Sequence, residues 1–227
     1  GPFMADLNGD GHLDLMVTCG VVGESIRFWM NSGNNSFPVE ATGTANPFHG
    51  IVAGNGDMPF MTDLNGDGHL DLLLGRYGGQ IDVYVKNSGT NTFSQVDIQG
   101  ISEINVGNYA TPYVTDLNGD GHHDIVVGNY LGNVKVWFNS GRNTFPIEAT
   151  GESRGAENPF KAIPTTQYIK PFMADLDGDG DLDLLVGDTG GKIKVWLNSG
   201  SNTFLNQATG AASPFNGFGV PNYASPY

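Results

Sequence analysis

Asp6-Leu-Asn-Gly-Asp-Gly-His-Leu-Asp14 opens a pattern that returns three times. It recurs at Asp63 to Asp71, at Asp116 to Asp124 with His123 in place of leucine, and at Asp175 to Asp183 with Asp177 and Asp181 substituted. The starts lie 57, 53 and 59 residues apart. Self-similarity at a period of tens of residues identifies a repeat architecture and outranks any element-by-element assignment.

The surroundings of the loop repeat with it. A short apolar run carrying proline precedes each copy: Pro2-Phe-Met4, Pro59-Phe-Met61, Pro112-Tyr-Val114 and Pro171-Phe-Met173. A β-rich run such as Asp183-Leu-Leu-Val-Gly187 follows, then a glycine turn. After the turn come alternating runs at Ile26 to Met30, Ile81 to Val85, Val134 to Phe138 and Ile193 to Leu197. Asn-Ser-Gly turns at Asn31, Asn87, Asn139 and Asn198 lead to a fourth strand, predicted to open at Phe37, Phe93, Phe145 and Phe204. Short β-branched and aromatic runs bounded by Gly, Asn and Asp are strand and hairpin signals, and no helical period is sustained.

Each repeat therefore reads as a four-stranded antiparallel unit that cannot bury both faces alone. Such units stack as blades, so the chain is predicted to be all-β, a β-propeller with about four blades across residues 1–227. Asn222 to Tyr227 copies Asn108 to Tyr113, the run ahead of the third loop, so a segment of a larger propeller is expected. Trp29, Trp137 and Trp196 fall in register with Tyr84 and are expected in the core.

The loops 6–14, 63–71, 116–124 and 175–183 place side-chain oxygens at positions one, three, five and nine. These are Asp6, Asn8, Asp10 and Asp14; Asp63, Asn65, Asp67 and Asp71; Asp116, Asn118, Asp120 and Asp124; and Asp175, Asp177, Asp179 and Asp183. Position seven (His12, His69, His122, Asp181) can add its main-chain carbonyl. Hard oxygen donors at alternate positions, with glycine at six for the sharp turn, are what Ca²⁺ requires. Converging carboxylates at ~4 Å repel by roughly 4 kcal/mol at an effective dielectric near 20, so a bare turn is a poor use of them. About four Ca²⁺ sites are expected.

Composition agrees. The net charge is −14 with only 10 Lys plus Arg, which argues against nucleic-acid and anionic-membrane partners. The four loops hold 14 aspartates, the magnitude of that whole charge. No run approaches the ~18 to 20 apolar residues of a membrane span, so no membrane insertion is expected in this segment. The single Cys19 excludes an internal disulfide, a thiolate zinc site and a CxxC centre.

The Asp-x-Asn/Asp-x-Asp-Gly-x-x-Asp loops and the Asn-Ser-Gly turns resemble the FG-GAP/VCBS repeat family. That family comprises the calcium-loop propeller repeats of integrin α-chain heads, some secreted bacterial proteins and certain fungal propeller lectins. The Phe-Gly/Gly-Ala-Pro signature is replaced here by Pro-Phe-Met and Leu-Leu-Gly type segments. The resemblance implies an extracellular recognition or adhesion module that binds carbohydrate or protein.

No nucleophile elbow, zinc-peptidase motif or phosphate loop is present, and the dense carboxylates belong to the loops, so no catalytic residue is expected and the chain reads as a non-enzyme. Long connections after the fourth strands carry aromatic and amide groups suited to sugars, giving Asn46, Phe48, Asn158, Phe160 and Phe215 as candidate ligand-binding residues. The alternative use of Asn-Pro-Phe is a local structural plug. A non-catalytic propeller of a secreted polysaccharide-degrading enzyme, or a structural repeat of an extracellular filament or matrix, are the other functions such a chain could serve.

Overall fold

The computed structural model describes residues 2–19, 26–34, 36–141, 143–145, 148–150, 157–163, 167–204, 207–209, 213–217, 219–221 and 224–225. Alternating side chains and Gly/Asn/Asp turns fold each repeat into one antiparallel sheet. Blade one contains β1 (Pro2–Ala5), β2 (Asp14–Thr18), β3 (Ile26–Trp29) and β4 (Glu40–Ala41). Blade two contains β5 (Met58–Thr62), β6 (Asp71–Gly75), β7 (Ile81–Lys86) and β8 (Phe93–Val96). Blade three contains β9 (Thr111–Thr115), β10 (Asp124–Gly128) and β11 (Val134–Trp137). Blade four contains β12 (Lys170–Ala174), β13 (Asp183–Gly187), β14 (Ile193–Trp196) and β15 (Gln207–Ala208). The four sheets are the blades of a β-propeller.

Innermost strands β1, β5, β9 and β12 lie side by side in chain order. Their aromatic rings form a ladder, with centroids 5.8 Å apart for Phe3–Phe60, 5.0 Å for Phe60–Tyr113 and 5.4 Å for Tyr113–Phe172. These rings line an apolar cavity of about 620 Å³. The middle strands β6, β10 and β13 are buried along their whole length, as expected when both faces of a blade are covered.

The fourth strands depart from the prediction. Only β8 opens at its phenylalanine. β4 and β15 begin three residues beyond Phe37 and Phe204, and in blade three the described outer pairing is one bridge, Trp137 to Glu148. The reason is burial: Phe145 and Phe204 leave the sheet to enter the seam beside the preceding blade, and the Phe145 N–H donates to Gln99 O at 3.0 Å. The turn register also differs in blade two, where Lys86 rather than Asn87 occupies the place of Asn31, Asn139 and Asn198.

Three clusters fill the three seams. Between blades one and two, Met16, Ile26, Phe28 and Phe48 meet Met61, Leu72, Leu74 and Tyr84. Corresponding residues fill the other two seams, with Trp137 in the second and Trp196 in the third. The chain enters each new blade against the last, and glycine makes room: a Cβ at Gly75 would lie 2.2 Å from Ala110 O, and one at Gly128 2.6 Å from Ile169 O.

Trp29 does not share the burial of Tyr84, Trp137 and Trp196. Those three are covered by the blade before theirs, whereas Trp29 is half-buried, with the Arg27 guanidinium 4.8 Å from its ring centroid.

Candidate functional site

The acidic loops close each blade at one end, and their ninth residue is the pivot. Asp14, Asp71, Asp124 and Asp183 are 0% exposed. One carboxylate oxygen accepts the N–H of the second loop residue: Leu7 at 3.1 Å, Leu64 at 3.2 Å, Leu117 at 3.0 Å and Leu176 at 2.9 Å. The other accepts an N–H from the turn after the third strand: Asn31, Lys86, Asn139 and Asn198 at 2.8–2.9 Å. The ninth aspartate thus clasps loop to turn, a structural task that the sequence reading did not assign to it. Burial pushes the carboxyl of Asp71 up and that of Asp124 up to about 6, against the N–H donors that favour the charged form.

At position one the carboxylate organises the turn. Asp6 accepts the N–H groups of Gly9 at 2.7 Å and Gly11 at 2.8 Å, and the Gly11 donor above all holds its carboxyl below the usual range. Asp63 and Asp116 repeat both bonds. At position five, Asp10, Asp67 and Asp120 accept the N–H of His12, His69 and His122 at 2.9 Å. The histidine rings lie outside the loop; His12 and His122 sit over Gly33 and Gly141, glycines of the Asn-Ser-Gly turns.

Position three separates the fourth loop from the others. Asn8, Asn65 and Asn118 donate their amide to Asp10, Asp67 and Asp120 at 3.0–3.1 Å, bridging loop positions three and five. Asp177 has no such donor. Among the described residues, Asp175, Asp177 and Asp183 are the group whose carboxylate oxygens all lie within 4.8 Å of one another. Loss of water against the loop, followed by the charges of Asp179, Asp183 and Asp175, pushes the Asp177 carboxyl up. A set of hard oxygens held together against their own repulsion fits a cation of the calcium type, and it fits best at the fourth loop.

The candidate ligand residues are placed differently from one another. Phe48 is 1% and Phe160 3% exposed, so neither ring is offered to solvent. Asn46 Nδ2 donates to Ile26 O at 2.8 Å while its Oδ1 accepts the Phe48 N–H at 2.9 Å. Asn158 does the same with Val134 O and the Phe160 N–H. These four residues form the plug arrangement, locking each connection into the next seam, because an apolar ring gains more from that burial than from water. Phe215 is half-buried in the corresponding turn after blade four, where the Asn216 N–H donates to Ser213 O at 3.1 Å.

A second cluster, missed by the sequence reading, lies at the end of the blades away from the acidic loops. Tyr77 and Tyr130 occupy the turns after β6 and β10, and Tyr109 and Tyr168 precede β9 and β12. Ring centroids are 4.5 Å apart for Tyr77–Tyr109, 4.7 Å for Tyr109–Tyr168 and 5.8 Å for Tyr109–Tyr130. Tyr77 is 52% and Tyr130 36% exposed. Tyr109 and Tyr168 hold φ of +54° and +59°, a region that bulky residues avoid. Backbone bonds fix them there: Tyr109 N–H to Tyr77 O at 2.8 Å, and Tyr168 N–H to Tyr130 O at 2.9 Å. Beneath Tyr77, Arg76 joins Asp57 at 2.8 Å and also pairs with Asp82, while Asp57 accepts the Tyr77 N–H at 2.9 Å. The sequence signal was the repeated Asn-Tyr at Asn108 and Asn222; Asn222 and Tyr223 lie outside the described residues.

Comparison with known proteins supplies context. The sequence model described as FG-GAP-like repeat matches residues 63–127 and 175–224. A search of curated proteins finds no match. Among solved structures, an Agrocybe aegerita lectin, described for specific recognition of non-reducing terminal N-acetylglucosamine, is 25% identical with a TM-score of 0.55. The match covers 91% of this chain and 50% of the lectin, so the chain spans half the length of that protein. The Photorhabdus luminescens Tc holotoxin pore is 20% identical over 82% of this chain and 8% of its own, with a TM-score of 0.48.

Proposed function

The chain belongs to the FG-GAP-like repeat family, and from that premise we propose that it is a calcium-loaded recognition module of the extracellular space whose ligand is a carbohydrate. The observation that carries this reading is the tyrosine cluster at one end of the blades, in which Tyr77 and Tyr130 are exposed and Tyr109 and Tyr168, packed against them, are half-buried. Tyrosine offers an apolar face for the ring of a sugar and a hydroxyl for its polar edge, at low loss of conformational entropy. Strained backbone at Tyr109 and Tyr168 is the kind of local cost that persists at binding sites. The exposed Asn108 adjoins Tyr109, where its carboxamide can meet sugar hydroxyls. The likeness to a lectin that recognises terminal N-acetylglucosamine supports the same class of ligand.

In this reading the acidic loops hold Ca²⁺ through the first-, third-, fifth- and ninth-position oxygens and stiffen the opposite end of the blades. Millimolar extracellular Ca²⁺ suits such sites. The module binds and does not catalyse.

The test is a glycan array in Ca²⁺, followed by calorimetry on the best sugar with Tyr109→Ala and Tyr168→Ala. A terminal-sugar specificity that weakens at least tenfold in both variants is expected. Silence on the array, or binding unchanged by both substitutions, overturns the reading.

A further inference from the structure

Beneath Tyr77 lies a charged pair that the acidic loops do not use. The Asp57 side chain is 4% exposed, and both of its oxygens are engaged. Oδ1 accepts the Tyr77 N–H at 2.9 Å, while Oδ2 accepts the Gly54 N–H at 2.7 Å and the Arg76 guanidinium at 2.8 Å. Arg76 also donates to Val52 O at 2.6 Å, to Asp82 at 2.8 Å and to the Tyr84 hydroxyl at 3.2 Å. Burial opposes the guanidinium's charge, but the bonds to Asp57 and Asp82 outweigh it and hold its pKa above the ordinary arginine value. The pair thus ties the segment entering blade two to the turn after β6 and to β7.

The turn passes this hold to the next blade. Tyr77 O accepts the Tyr109 N–H at 2.8 Å and Arg76 O accepts the Ala110 N–H at 3.1 Å. The two rings also meet over the segment that Asp57 belongs to: a Cβ at Gly56 would lie 2.7 Å from the Tyr109 ring and 3.5 Å from that of Tyr77. Gly56 stands two residues ahead of β5, as Tyr109 and Tyr168 stand two residues ahead of β9 and β12, so bare backbone takes the place of a further ring.

Blade three anchors its tyrosine without charge. The Tyr130 N–H donates to a main-chain oxygen, Asn108 O, at 2.9 Å, and Asn129, in the place of Arg76, reaches Val106 O with its amide at 2.7 Å. Neighbouring tyrosines of one surface therefore rest on different supports.

We propose that Asp57 and Arg76 are positioning residues of the tyrosine surface: the buried pair sets the main chain of Tyr77, and through it that of Tyr109, before a ligand arrives. Aromatic groups preset in this way lose little freedom on binding, which favours affinity. The benefit to sugar binding rests on the proposed carbohydrate function, whereas the hold on the two segments stands on the bonds alone.

The test is residue-resolved amide hydrogen exchange on the chain carrying Asp57→Ala with Arg76→Met, a combination that leaves neither partner of the pair as a lone buried charge. Exchange at Tyr77 and at Tyr109, whose own acceptor is untouched, should quicken at least tenfold, while Tyr130 and Tyr168 stay as they were. Arg76→Lys keeps the charge and the fold but loses the planar fork, and should give the same pattern at least threefold. Calorimetry with N-acetylglucosamine should show binding at least fivefold weaker in the double variant, with no further loss when Tyr77→Ala is added. Unchanged exchange at Tyr109, equal quickening at all four tyrosines, or sugar affinity indifferent to the double variant overturns the proposal. No sugar binding by the unaltered chain, together with the expected exchange pattern, overturns the carbohydrate function and supports the positioning.

Discussion

The phenyl ring of Phe48 stacks on that of Phe93, centroids 5.0 Å apart and planes 15° from parallel, although one belongs to the connection leaving blade one and the other to the outer strand of blade two. Phe160 and Phe204 repeat the relationship between blades three and four at 4.9 Å. In the middle seam, Ile101 and Phe145 stand in these places. Blade-to-blade cohesion is therefore carried by connections as well as by sheet faces.

Phe48→Ala and Phe160→Ala should each destabilise the chain by about 3–5 kcal/mol, as large-to-small changes in a closed core do. Urea unfolding measures this. At temperatures below the transition, sugar binding at the tyrosine end should persist, since neither ring reaches it.

The ninth and fifth loop positions should separate cleanly. Asp71→Asn places an amide where two N–H donors, from Leu64 and Lys86, now find carboxylate oxygens. A loss of about 1–3 kcal/mol is expected even in chelator, because one buried donor is left unmatched. Asp67→Asn, on the exposed rim, should leave the metal-free stability within about 0.5 kcal/mol and weaken Ca²⁺ binding instead. Thermal melts with and without EDTA read both effects.

Calcium removal should lower the melting midpoint, with a contribution of about 2.7 kcal/mol for each site saturated at 100 times its dissociation constant. The fourth loop should bind most tightly, because Asp177 adds a carboxylate where the others carry an amide. Asp177→Asn should abolish the tightest class in a calorimetric titration.

Stability in chelator should fall as pH rises from about 4 to 6. Burial raises the Asp124 carboxyl from 3.8 to about 6, and that of Asp71 in the same direction. The folded chain then binds more protons than the unfolded one across this window, so each step up in pH favours unfolding. The contribution is complete below the unfolded value and lost above the folded one. Excess Ca²⁺, which favours the ionised carboxylates, should remove the slope.

Gly79→Ala and Gly66→Ala test two demands on glycine. Both positions have positive φ, +92° and +77°. A Cβ at Gly79 would stand 2.2 Å from Gly107 O, whereas nothing lies within 4 Å of one at Gly66. Gly66→Ala should cost about 1–2 kcal/mol from backbone strain alone. Gly79→Ala must also push the next blade's entry segment aside and should cost several-fold more, seen as a far lower midpoint or insoluble protein.

By itself the sequence determined the four repeats, the first three strands of each and the acidic loops, because these follow from local chemistry. Asp, Asn and Gly at fixed spacing fold a tight loop whatever lies beyond it, and alternation at period two declares a strand with two faces. What only the tertiary structure decided is how non-neighbouring repeats use those pieces. Asn46-Pro-Phe48 has the composition of a ligand loop, yet its ring is closed off by Phe28 and Phe93 from two different blades. Trp29 and Trp196 hold the same register position in their strands, yet Trp29 is half-buried while Trp196 is closed into the seam with blade three. Asp14 reads in the sequence as a loop oxygen donor, and only the fold shows that it also accepts the Asn31 N–H, 17 residues away. Tyr77, Tyr109, Tyr130 and Tyr168 are spread over 92 positions and become one surface only when two blade ends and two entry segments meet. Each of these outcomes depends on contacts between segments far apart in sequence, which local propensity does not encode.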